Sequence, residues 1–187
     1  STICNRLFTG GITDSHVVVD SMPEVRFNQC RFGSNGVADQ ACDSFIRIKG
    51  GNTTNPAGGP NTVIAVNCQF NQGNSTTVAK WLSFANKTVG SIADTTYFSF
   101  DTCYIETVSN CIASDSTWGA IGRVLISNCS FNVSSTIPFL SLNSGTDIND
   151  WQITNCRLPA FAYTSATNHI NNMIVSGCNF SGTTSLV

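Results

Sequence analysis

Five carboxylates are placed where they could do hydrolytic chemistry. Asp101 and Glu106 flank Cys103, Asp115 follows on the same stretch, and Asp147 and Asp150 share a segment. Cleaving a glycosidic bond generally takes two facing carboxyl groups, about 5 to 5.5 Å apart for retention and about 6.5 to 9.5 Å for inversion. The repeat described below sets Asp101 beside Ser127 and gives that column no second acid. The five therefore read as solvated turn residues, and no catalytic residue is expected. Elimination from a uronate asks for a Lys, Arg or Tyr base and a cation, often Ca²⁺ held by clustered acids. Lys80, Lys87 and Arg123 are available, without such a cluster. Sugar binding asks less, namely an aromatic face for the pyranose and amides or hydroxyls for its edges. Trp118 in S-D-S-T-W-G and Tyr163 beside T-S-A-T-N-H answer that description, and with Asp115 and Asn143 they form the expected ligand-binding set.

The elements that must position these residues come from a repeat. The segment Val124 to Phe131, V-L-I-S-N-C-S-F, has apolar residues five and three before its cysteine and two after it. Alternation on both sides of a polar two-residue corner spells strand, bend, strand. The pattern recurs at Val25, Phe27, Cys30, Phe32; at Val63, Ala65, Cys68, Phe70; at Phe98, Phe100, Cys103, Ile105; at Trp151, Ile153, Cys156, Leu158; and at Met173, Val175, Cys178, Phe180. The anchor cysteines advance by 38, 35, 26, 27 and 22 residues. That is too irregular for a helical solenoid and suits coils of strand with loops of varying length. A unit with an inward Cys and Phe cannot bury them alone, so coil must stack on coil.

A second strand is read downstream of each anchor, at Phe45–Ile48, Trp81–Phe84, Asn110–Ala113, Phe139–Leu142 and Phe161–Tyr163. Variable loops then follow at 50–62, 85–96, 114–122, 143–150 and 164–172. They leave the same strand in every coil, so they are expected on one side of the stack, where recognition can vary. Residues 1–20 are expected to form an irregular first coil or cap, with Cys4 outside the ladder. The residues before the anchors, Gln29, Asn67, Thr102, Asn128, Asn155 and Gly177, are expected to form a structural ladder of corner amides. No stretch has sustained helical periodicity, so the chain reads as all-β and as one domain over 1–187.

Composition narrows the function classes. Only 11% of the 187 residues are charged and the net charge is −2, so a nucleic-acid partner held by a basic surface is disfavoured. No apolar run approaches the roughly 18 residues that read as a bilayer span, so no membrane insertion is expected. The start S-T-I-C-N-R-L-F lacks the layout of a signal peptide. Nine cysteines, odd in number, widely spaced and set on an apolar column, read as buried reduced thiols and not as a disulfide framework. Without C-x-x-C or Cys/His pairing at zinc spacing, neither a metal site nor a cofactor is expected.

The N-C-x-F corners, inward Phe columns, corner amides and coils of 22 to 27 residues with insertions resemble the right-handed parallel β-helix superfamily. That fold is shared by pectate lyases, polygalacturonases and bacteriophage tailspikes. The resemblance implies a single-domain solenoid of about six to seven coils. Polygalacturonases carry N-T-D, D-D, G-H-G and R-I-K in that order; here Arg47-Ile48-Lys49 matches the last, and His16 lies 31 residues before Arg47. However, His16 is flanked by Ser15 and Val17, and paired aspartates have no counterpart. R-I-K therefore reads as an alternating strand. The tailspike likeness implies a homotrimeric virion-surface protein, partnered by other virion proteins, that attaches to a host cell-surface polysaccharide. The alternatives are a small pectate-lyase-like polysaccharide-degrading enzyme and a purely structural β-helix of a capsid or appendage.

Overall fold

The computed structural model describes residues 2–4, 7–8, 15–20, 24–33, 43–49, 62–71, 78–85, 97–106, 108–114, 119–134, 137, 139–141, 146–159 and 170–182. Their strands form three sheets in which every pairing is parallel, and pairing partners belong to successive coils. The first sheet runs β1 (Thr2–Cys4), β4 (Glu24–Asn28), β7 (Thr62–Val66), β10 (Tyr97–Asp101), β13 (Gly119–Ser127), β16 (Thr146–Thr154) and β18 (Ile170–Ser176). The second, reached across the corner, holds β2 (Leu7–Phe8), β5 (Arg31–Phe32), β8 (Gln69–Phe70), β11 (Tyr104–Glu106), β14 (Ser130–Asn132), β17 (Arg157–Leu158) and β19 (Asn179–Phe180). The third contains β3 (Ser15–Asp20), β6 (Ser44–Lys49), β9 (Val78–Ala85), β12 (Val108–Ser114) and β15 (Leu140–Ser141). This is a right-handed parallel β-helix of seven coils.

The period-two pattern explains which residues face inward. Val25, Phe27, Val63, Ala65, Phe98, Phe100, Val124 and Ile126 are buried, and the residues between them point outward. Equivalent residues pair from coil to coil, as Phe98 does with Val63 on one side and Val124 on the other. Each fully buried large side chain contributes about 1.5–3 kcal/mol.

A single left-handed residue makes each corner. Gln29, Asn67, Thr102, Asn128 and Asn155 all have φ of 53°, and Gly177 has 63°. One residue in this region swings the chain through the bend and returns the next side chain, the anchor cysteine, to the interior. Asn suits the conformation because its short polar side chain tolerates it, whereas a β-branched Thr is strained there. Before the bend, backbone N–H groups bond forward, as Asn67 N does to Asp101 O at 3.1 Å and Asn128 N to Thr154 O at 3.0 Å. Past it they bond backward, as Tyr104 N does to Cys68 O at 3.0 Å. These backbone bonds stitch the corner coil to coil. Among the described residues Asn128 is the corner amide with a side-chain partner, the Asp101 carboxylate.

The anchor cysteines stand in a column, and the eight described cysteines form no disulfide. Each anchor thiol from Cys103 onward has two carbonyls within reach of its single S–H, one two residues before it and one in the preceding coil: Cys129 Sγ lies 3.2 Å from Ser127 O and 3.6 Å from Phe100 O. Sγ in turn accepts the preceding anchor's N–H, at 3.4 Å for Cys103 to Cys129, Cys129 to Cys156 and Cys156 to Cys178. The sulfur thus occupies the inside of the bend and satisfies a backbone donor there. Hydrogen bonding with Cys129, then with Cys68, and burial push the Cys103 thiol up, and burial alone does the same to Cys111. Cys4 pairs with Asn28, not with Cys30, and is exposed.

Aromatic rings fill the tube. Phe32 stacks on Phe70 at 4.5 Å, Phe70 meets Trp81 edge-on at 5.9 Å, and Trp81 meets Phe100 and Phe131 at 4.8 and 5.0 Å. Trp81 and Trp151 are fully buried with no acceptor for their indole N–H.

Three of the expected loops are shorter than their sequence suggests. Residues 119–122, 146–150 and 170–172 belong to β13, β16 and β18. Gly119 pairs with Thr146 and Ile148 with Ile170, so adjacent strands of extended length satisfy one another's backbone groups. The fourth expected second strand is β15, which begins at Leu140 and not at Phe139. The fifth, at Phe161–Tyr163, lies outside the described residues.

Candidate functional site

Trp118, Tyr163, Asp115 and Asn143, the residues expected to bind a ligand, lie outside the described residues, as does Lys87. Of the other chemistry-bearing side chains that are described, His16 lies inside the tube and the charged ones fall on the outer faces and the corner.

His16 and Arg47 do not converge. Val17 pairs with Ile46, which sets His16 beside Phe45, and their rings stack at 5.4 Å inside the tube. Arg47 pairs with Val18 and lies 3.9 Å from the Asp43 carboxylate, which Lys80 approaches at 2.9 Å. Strict alternation would set His16 and Arg47 on one face, but Phe45 and Ile46 are both buried, so the alternation breaks between them and leaves His16 inside and Arg47 partly exposed; R-I-K is a structural segment here.

Asp101 stacks beside Ser127, as its column position requires. It accepts hydrogen bonds from Ser127 Oγ at 2.6 Å, Asn128 Nδ2 at 2.8 Å and Thr102 Oγ1 at 3.0 Å. These donors, Ser127 first, hold its carboxyl below the usual carboxylate range. Among the described residues its outward row, Asn28, Val66, Asp101, Ser127, Thr154 and Ser176, contains no second acid. An ionised, fully bonded carboxylate is a poor proton donor for a leaving group. Asp150 is likewise engaged, by Arg123 at 3.2 Å and by Asn172 at 3.0 Å.

The richest outward row lies just past the corner, on the second sheet. In register it reads Arg31, Gln69, Tyr104, Ser130, Arg157 and Asn179. The side chains alternating with it, Phe32, Phe70, Ile105, Phe131 and Leu158, are buried. Rungs of a sheet repeat about every 4.8 Å, so this row is a straight strip of guanidinium, amide, phenol and hydroxyl groups. Asn132 Nδ2 donates to the Tyr104 hydroxyl at 3.1 Å and to Glu106 Oε1 at 3.4 Å, fixing the phenol. Beside it runs the exposed corner row of Gln29, Asn67, Thr102, Asn128 and Asn155. The position one past each anchor cysteine was readable from the alternation. What the sequence hid is which of these side chains have partners, since that depends on neighbouring coils.

Among the described residues no helix is long and apolar enough to cross a membrane. No protein-family model, curated protein or solved structure matches the chain.

Proposed function

We propose that this β-helix is a non-catalytic scaffold whose outer surface binds polysaccharide. The observation that supports this most directly is the in-register row Arg31, Gln69, Tyr104, Ser130, Arg157 and Asn179. It offers a phenol face and a series of hydrogen-bonding groups along a line, the chemistry a pyranose chain needs. The sequence candidates Trp118, Tyr163, Asp115 and Asn143, outside the described residues, extend the same reading. Its narrower form, attachment of a homotrimeric virion-surface protein to a host polysaccharide, is drawn from the tailspike resemblance and is an analogy of fold.

The alternative, a polysaccharide-degrading enzyme, would need a second carboxylate opposite Asp101 from a loop or another subunit. A purely structural β-helix would lack the ligand. Affinity electrophoresis in gels carrying neutral or acidic polysaccharides, run beside a reducing-sugar assay, separates the three. Retardation without sugar release is expected. No retardation by any polymer would leave the structural role, and release abolished by Asp101→Asn would establish the enzyme.

A further inference from the structure

Cations on this chain are few, and most of the described ones are neutralised. Arg26 pairs with Glu24 at 2.6 Å, Lys80 and Arg47 share Asp43, and Arg123 pairs with Asp150. Leaving aside Lys49, whose side chain is outside the described residues, Arg31 and Arg157 are the exceptions. Neither has a carboxylate partner among the described residues, and Arg31 Nε is buried with no hydrogen-bond acceptor. Both sit on the same outward row of the second sheet, with Gln69, Tyr104 and Ser130 between them. Four rungs separate them, about 19 Å along the axis.

We infer that this strip binds an acidic polysaccharide laid parallel to the helix axis, with Arg31 and Arg157 each taking an anionic group of the polymer and Tyr104 stacking on a sugar between them. This rests on the polysaccharide-binding reading and adds the charge of the ligand, its direction and its face. A guanidinium recognises a carboxylate or sulfate through paired N–H donors. A chain with net charge −2 still attracts a polyanion here, because exposed charges are screened beyond about 8 Å at physiological ionic strength. The strip therefore answers to Arg31 and Arg157 at its ends and to the Glu106 carboxylate beside Tyr104 at its middle, which places the anionic groups of the polymer at the two ends and an uncharged stretch of sugar over Tyr104.

The test is retardation of the intact protein in native gels containing dextran, polygalacturonate or dextran sulfate. The variants are Arg157→Gln, Arg31→Gln with Arg157→Gln, Tyr104→Ala, and Arg123→Gln as a control that removes the same charge from another face. Thermal melts confirm that each variant is folded, and the exposed Arg157→Gln stands in should changes at Arg31 disturb packing. Retardation by at least one acidic polymer is expected, weakened about tenfold by Arg157→Gln, weakened further by the double variant, reduced by Tyr104→Ala, lost in high salt and unchanged by Arg123→Gln. The two acidic arms show whether carboxylate or sulfate is preferred. Equal weakening by Arg123→Gln, or no effect of Arg157→Gln, overturns the inference. Retardation by dextran alone overturns it while leaving the polysaccharide reading standing, and no retardation in any gel removes both.

Discussion

At the corner, one backbone angle decides what each side chain costs. Five non-glycine residues hold φ of 53°, and two of them, Gln29 and Thr102, are poor choices for it. Gln29→Asn is expected to raise stability by somewhat under about 1 kcal/mol, whereas Asn67→Val should lower it by about 1–2 kcal/mol, both read from urea midpoints. Gly177 is the converse case, since a Cβ there would come within 2.4 Å of Asn155 Oδ1. Asp101 adds a pH dependence of definite sign. Its folded carboxyl lies below its unfolded value because Ser127, Asn128 and Thr102 donate to the ionised form. The stability it contributes is complete above the unfolded pKa of about 3.9 and is lost as pH falls through the folded pKa. Thermal melts between pH 7 and pH 2 should therefore show an acid-side decline that is shallower in Asp101→Asn. The same variant should be less stable at pH 7 by about 1 kcal/mol, for lost charge-assisted bonds at a partly exposed site.

At the scale of strands, packing follows the column a residue joins. Phe70 is fully buried and touches Phe32, Phe45 and Trp81. Phe70→Ala should lower stability by about 3–5 kcal/mol. Phe180 occupies the same column but is 40% exposed, so Phe180→Ala should cost well under half as much in the same denaturation experiment. This level was the most legible in the sequence. Period-two alternation around each anchor cysteine placed the first two sheets and their inward residues, because a stacked column leaves a repeated apolar pattern. Strand starts were less legible. Gly119, Thr146 and Ile170 begin strands because neighbouring coils offer partners of matching length, and no single coil records its neighbour. The corner amides were visible as a row, but the left-handed backbone beneath them was not, since Gln29 and Thr102 adopt it only under the demands of stacking. For the candidate site, the row past the cysteines could be counted from the sequence. That Arg31 and Arg157 have no ion partner among the described residues, while Arg26, Arg47 and Arg123 do, required coordinates.

Across the whole molecule, each coil's strands pair only with those of its neighbours, and a large ring such as Trp81 reaches at most two coils away, so stability is close to a sum of coils and short-range interfaces. The coils are unequally buried. Phe98, Phe100, Val124 and Ile126 are at most 2% exposed, whereas Val175 in the last coil is 37% exposed and Ile174 beside it 46%. Local opening is easiest where buried apolar contacts are fewest. Hydrogen exchange followed by mass spectrometry should show the strongest protection in Thr62–Val66, Tyr97–Asp101 and Gly119–Ser127, and the weakest in Ile170–Ser176. Uniform protection across the seven coils would mean that the solenoid opens only as one unit.

The two dry indoles give the protein its own optical reporters. Trp81 sits in the third coil and Trp151 in the sixth, each sealed from water with its N–H unmatched. Both should emit at short wavelength when native and move to the red once their coil is wetted. With Trp118→Phe removing the third tryptophan, Trp81→Phe and Trp151→Phe partners would report the sixth and the third coil respectively. Emission from the sixth coil that shifts at lower urea than emission from the third would trace unzipping from the C-terminal side.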